Sequence, residues 1–192
     1  MVTLEIARTG GRLYGGVLDR GILTDLFVDR ADRPDAPGAV MLARVDRVFA
    51  GRAALEIGAG RSAILEGSTA ELRPGDGVVV QILRPSRDDK GPEVTRDIAL
   101  PGIALVHRPL GQGIAVSSRL PPGAKRDWAA RLAGRPGGWI VRSAAASMAP
   151  EVVLADADRL EAQGGPLRSP AVKAPAVLDP GPGLAGRLIL DH

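Results

Sequence analysis

The sequence predicts an α+β protein: a β-rich start, a small β-barrel and a basic α+β unit. Glycine (25) and proline (16) make up about a fifth of the 192 residues, where ordinary usage is about an eighth, and that excess favours turns and short strands over a helical bundle. Short apolar–polar alternations recur through the first half of the chain, the period expected of half-buried strands. Helical spacing enters only later, in AKRDWAARLAG and in the stretch that follows Met148.

Taken in order, Val2-Leu4-Ile6 alternates with polar residues, and RLYGGVLD and ILTDLFVD follow after turns at Gly10-Gly11 and Arg20-Gly21, the pattern of successive hairpins. Residues 30–38 are polar with two prolines and mark a boundary. AVMLARVDRVFA, RAALEIG, RSAILEG, DGVVVQILR and a short PEVTRDI then supply five strands in about sixty residues. Five such strands fit a small barrel, and the OB-fold is the common barrel of this size that binds oligonucleotides. IALVH and GIAVSSR read as strands, AKRDWAARLAG as a helix closed by glycine and Pro136, and GWIVRS as another strand. Ser147 is the expected N-cap of a helix running to about Gln163, because serine oxygen satisfies the free N–H groups of a first turn. Residues 164–192 hold five glycines and five prolines, which predicts a mobile or partner-dependent tail. The expected units are therefore 1–36, 37–98, 99–163 and a Pro/Gly-rich tail, 164–192.

Charge is uneven. The net +3 of the chain conceals a segment, residues 99–146, in which Arg108, Arg119, Lys125, Arg126, Arg131, Arg135 and Arg142 face Asp127 alone. Such a cluster raises the local potential and favours polyanions. Of the 25 cations 22 are arginine. A GC-rich genome accounts for that ratio, but not for the clustering. The chain has no cysteine, so disulfides, thiolate catalysis and Cys-based zinc sites are excluded. No apolar run reaches the 18 or so residues of a membrane span, and the N-terminus lacks a charged region followed by an apolar block. A cytoplasmic location is expected, with no membrane partner.

The search for catalytic groups assigns none. His107 follows an apolar strand and reads as a strand-end residue, and His192 is terminal. Asp88-Asp89 and Asp156/Asp158 are spaced so that their side chains diverge on a strand or a helix. No metal ligand set emerges. Arg142-Ser143 is the pair that suggests binding chemistry: it ends a strand inside the basic segment, just before a helical stretch. Arginine, hydroxyl and backbone N–H groups together commonly hold phosphate. An arginine at a strand end is also, in many proteins, only a surface residue.

The order of these segments resembles the N-terminal part of the ribonuclease E/G family over most of residues 12–163. RLYGGVLDRGILTDLFVD is similar to the family's opening strands, the first part of a ribonuclease-H-like subdomain. AVMLARVDRVFAGRAALEIGAGRSAILEG looks like its OB-fold segment, and RPGDGVVVQILRPSRDDKGPEVTRDIALPG is similar to the stretch after it. GQGIAVSSRL and WIVRSAAAS resemble motifs of the family's 5′-sensor subdomain. The resemblance implies that Arg142 and Ser143 hold the 5′-monophosphate of an RNA end, and that Arg119 is an RNA-binding residue. It also implies that Leu55, Ile64 and Lys90 stand where the family uses two phenylalanines and a lysine to hold single-stranded RNA. The family's magnesium-binding aspartates lie in a later DNase-I-like subdomain that these residues do not include. LAGRLILDH echoes one of its strands only loosely. The resemblance therefore implies an RNA-binding protein of RNA processing or decay. An active endoribonuclease, with Mg2+ as its cofactor, is the first alternative. A non-catalytic interaction module, forming homo-oligomers or docking a protein partner through the tail, is the second.

Overall fold

The computed structural model describes residues 1–30, 36–67, 69–86 and 91–191. The expected boundary at 30–38 falls partly, and Lys90, Asp88-Asp89 and His192 fall wholly, outside the described residues.

Three strands open the chain: β1 (Val2–Thr9), β2 (Arg12–Asp19) and β3 (Ile22–Arg30), paired as an antiparallel meander. Both connections are two-residue turns with positive φ at each position (Gly10-Gly11 and Arg20-Gly21), the twist that tight hairpins favour.

A six-stranded sheet follows. Its members are β4 (Val40–Phe49), β5 (Arg52–Gly58), β6 (Arg61–Glu66), β7 (Gly77–Arg84) and β8 (Glu93–Thr95), with β13 (Ala176–Asp179) added from the far end of the chain. The order β4-β5-β6-β8-β7, with β7 returning to β4, closes a five-stranded barrel whose one parallel pairing is β6 with β8. It is OB-like. Met41, Val45, Ala53, Leu55, Ile57 and Leu65 are among the residues that fill it. Gly91 lets β8 approach β6, because a Cβ there would sit 2.0 Å from the Ser62 carbonyl oxygen.

The third unit has a mixed sheet of β9 (Leu100–Pro101), β10 (Leu105–Arg108), β11 (Ile114–Val116) and β12 (Gly138–Val141), ordered β11-β12-β10-β9. Helix α1 (Pro122–Leu132) crosses from β11 to its parallel neighbour β12 and buries Trp128 and Leu132 at the expected spacing. A 3-10 turn (Ser143–Ser147) leads to α2 (Pro150–Gly164), which packs Val153, Ala157 and Leu160 into the same core. The Ser147 N-cap is a misreading. Ser147 ends the 3-10 turn and its Oγ donates to the Ala144 carbonyl, while α2 begins at Pro150 after Ala149 with no side-chain cap. Proline needs no N–H partner at a first helical position, so it starts the helix unaided. The buried Gln81 side chain stitches barrel to sheet: Nε2 donates to the carbonyls of Gly38 and Ala99, and Oε1 accepts from Ala99 N–H.

The tail is not the loose segment its composition suggests. β13 pairs with β4, and α3 (Leu184–Asp191) lays Leu184 and Leu188 on Val17 of the first sheet. Gly15 permits that contact, since a Cβ there would meet Leu188 Cδ1 at 2.6 Å. Arg187 of α3 pairs with Asp29 of β3 at 2.9 Å, both side chains largely buried. Glycine and proline here build turns between packed elements, an outcome that composition does not distinguish from disorder. Among the described residues no helix is long and apolar enough to cross a membrane.

Candidate nucleic-acid interface

Because β11 and β12 run parallel, both strands leave the sheet at the same edge. Val116 is level with Val141, and the Ser117 N–H donates to the Val141 carbonyl at 2.9 Å. Ser117 and Ser118 therefore stand beside Arg142 and Ser143. A turn closed by Leu120 N–H to Ser117 C=O carries Arg119 out from the same edge, exposed. Carboxyl ends of parallel strands joined by a crossover helix are where such sheets place ligands.

Arg142 is half-buried and already engaged: Nη1 donates to the Gly102 carbonyl (3.1 Å) and Nη2 to the Leu190 carbonyl (3.0 Å) at the end of α3. A guanidinium has five N–H donors, so three remain after these bonds fix its plane. Ser143 beside it is exposed. Gly102 and Leu190 also line a cavity of about 350 Å³, with Asp156, Arg159 and Gln163 on its wall. Neither carbonyl partner of Arg142 carries a sequence signal, because backbone acceptors look alike at every residue.

The seven cations of residues 99–146 divide in the folded chain. Arg108 pairs with Asp97, and Arg135 with Asp158 and Glu161. Arg119, Lys125, Arg126 and Arg131 make no ion pair among the described residues, and the Arg131 guanidinium lies 5.8 Å from the centre of the Trp128 ring. The uncompensated charge thus gathers on the turn after β11 and on α1.

On the barrel, two residues matched to the family's RNA-holding surface separate. Ile64 faces outward, 39% exposed, but Leu55 is fully buried in the barrel core. Leu55 is therefore corrected as a surface contact. Side chains alternate along a strand, so a one-residue shift exchanges the inside for the outside. The outward residue directly opposite Ile64 is Ala54. Lys90 lies outside the described residues.

His107 is a core residue. It is fully buried and stacked on Trp139 (4.1 Å between centroids, 3° between planes), with Nδ1 3.0 Å from the Leu160 carbonyl and Nε2 3.2 Å from that of Pro136. Burial holds its pKa below the ordinary value. The nearby Arg168 charge acts in the same direction, and the two carbonyls and Glu161 oppose it. Among the described residues no group of three or more His, Cys, Asp and Glu side chains could hold a metal ion.

These elements define an α+β protein organised around an OB-like barrel, with an arginine–hydroxyl edge on a neighbouring sheet. No family model matches the chain. It is 28% identical over 172 residues to ribonuclease G of Salmonella typhimurium, covering 75% of this chain and 35% of that protein. Ribonuclease G of Escherichia coli matches with the same identity and coverage. Ribonuclease E of a Nostoc species is 32% identical over 117 residues, covering 58% of this chain and 17% of that protein. The chain is thus similar to ribonucleases G over about three quarters of its length, and to ribonuclease E over 58% of it. It spans about a third of the length of the ribonucleases G it matches.

Proposed function

We propose that the chain binds single-stranded RNA through its backbone and its 5′-monophosphate end, as part of RNA processing or decay. The observation that carries this reading is the shared edge of β11 and β12, where Ser117, Arg142 and Ser143 converge and Arg119 leaves the sheet. Arg142, its plane fixed by two carbonyls, turns its remaining donors to a terminal phosphate, and Ser143 adds a hydroxyl. Charge-assisted, forked contacts of this kind suit a phosphate dianion. Arg119 and the unpaired cations of α1 attract the following backbone. In this reading residues 1–36 with α3 are the ribonuclease-H-like portion, 37–98 the RNA-binding barrel and 99–163 the 5′-sensor, with the chain acting in the cytoplasm.

The test is fluorescence anisotropy of one short single-stranded RNA carrying either a 5′-monophosphate or a 5′-hydroxyl, at two salt concentrations. The monophosphate form is expected to bind more tightly, and Arg142→Ala to abolish the difference. Equal binding of the two forms by the wild type refutes the end-recognition reading. Affinity insensitive to salt would instead favour a protein-interaction role, because each phosphate contact contributes about −0.7 to the log–log slope for single strands.

A further inference from the structure

The outward wall of β4, β5 and β6 carries one exposed aromatic side chain. Of the chain's five aromatic residues only Phe49, at the end of β4, is exposed (42%); Trp128 and Trp139 are buried, and Tyr14 and Phe27 are partly covered in the first sheet. β4 carries a bulge between Val45 and Arg47. Without it, strand alternation from the buried Val45 would send Arg47 and Phe49 inward. With it, Val48 packs against the core and Arg47 and Phe49 stand outside. Bulges of this kind re-aim side chains at functional edges.

The register shows what the bulge achieves. Arg47 is opposite Ala54, and Ala54 is opposite Ile64, so these three form one row across β4, β5 and β6. Phe49 is opposite Arg52, which is opposite Glu66, in the next row. Arg52 is neutralised by Glu66 at 2.8 Å, whereas Arg47 is exposed and makes no ion pair among the described residues. Beside Phe49 a hollow of about 450 Å³ opens, lined by Val48, Ala50, Gly51, Gly67, Thr69 and Ala70.

We propose that Phe49, with Arg47 and Ile64, is a base-stacking platform for single-stranded RNA on the outward wall of the barrel. A base stacks on the Phe49 ring over the hollow, Ile64 supports its neighbour by apolar contact, and Arg47 meets the connecting phosphate. Stacking on an exposed ring in a cationic setting is tolerant of sequence and suits single strands. The inference rests on RNA being the ligand, but not on recognition of the 5′ end.

The test uses the full chain and a short 5′-hydroxyl RNA, with the 5′-monophosphate form in parallel. Phe49→Ala is expected to weaken binding of both forms equally, by about five- to 150-fold, the range that loss of one stacked base entails. Phe49→Trp is expected to retain affinity and to show fluorescence quenching on RNA addition. Arg47→Ala is expected to reduce the salt slope by about 0.7. A thermal melt checks that each variant is folded. Unchanged affinity in a folded Phe49→Ala, an unquenched Phe49→Trp, or failure of the wild type to bind at low salt overturns the platform. Loss of the monophosphate preference alone would remove the end reading and leave the platform standing.

Discussion

His107 makes the stability of this chain depend on pH in a definite direction. A neutral imidazole has one N–H, but both ring nitrogens of His107 face carbonyl oxygens, at 3.0 and 3.2 Å, in a fully buried site. Protonation would satisfy both carbonyls, yet desolvation of the cation outweighs that gain and the pKa is lowered. The unfolded chain therefore takes up a proton at about pH 6.5 that the folded chain still refuses. Above that pH both states are neutral and the group contributes nothing to the pH slope. Below it, stability falls by up to about 1.4 kcal/mol per pH unit for one proton, until the lower folded pKa is reached. Urea unfolding between pH 5 and 8 should show this slope in the wild type and its absence in His107→Gln, whatever the variant's overall stability. Carboxylates titrate mostly below the window, and the only other histidine is the terminal His192. A slope that persists in His107→Gln, or stability that rises on acidification, would refute the assignment.

Three further outcomes follow from the packing. Gly91→Ala places a methyl against the Ser62 backbone oxygen, which can yield only if β6 shifts; a loss of about 1–3 kcal/mol is expected by urea denaturation, the cost of overpacking. Arg187→Met removes one partner of the largely buried Asp29 and should cost about 1–3 kcal/mol, less than the full penalty of a completely buried pair; faster proteolysis at the C-terminal end would place the loosening in α3. Ala54→Phe with Ile64→Phe rebuilds two outward rings on directly paired positions and should tighten RNA binding by about 1–3 kcal/mol per stacked base in anisotropy, whereas Leu55→Phe, buried, should reduce stability and give no such gain.

Much of the architecture was legible because it rests on local rules. The hairpin turns follow from Gly10-Gly11 and Arg20-Gly21, and the barrel strands from alternation bounded by glycine. α1 follows from Trp128 and Leu132 four residues apart. What was hidden depends on long-range pairing. Nothing local says that Ala176–Asp179 pairs with β4, or that α3 returns to the first sheet, more than 150 residues away. Alternation predicts that one face of β5 is buried but not where a family motif falls on it. Leu55 falls on the buried face, and its neighbour Ala54 on the outward one. The Arg142-Ser143 pair was visible as chemistry, while its setting, two carbonyls from distant segments, was not.

The bulge in β4 and the carbonyl partners of Arg142 bear on the same question: how this chain would grip single-stranded RNA. At Arg142 the fold spends two of five donors on holding the fork still, and pre-orientation lowers the entropy lost when a phosphate arrives. On the barrel a single extra residue turns Arg47 and Phe49 outward without disturbing the core, since Val48 still packs inward. The two sites would share affinity differently. The edge at Arg142 would read what ends the strand, and the platform at Phe49 would hold bases regardless of their identity. Because the contacts are physically separate, their mutational effects on RNA affinity should add. An Arg142→Ala, Phe49→Ala double variant that departs strongly from additivity would mean that one residue acts through the other and not on RNA.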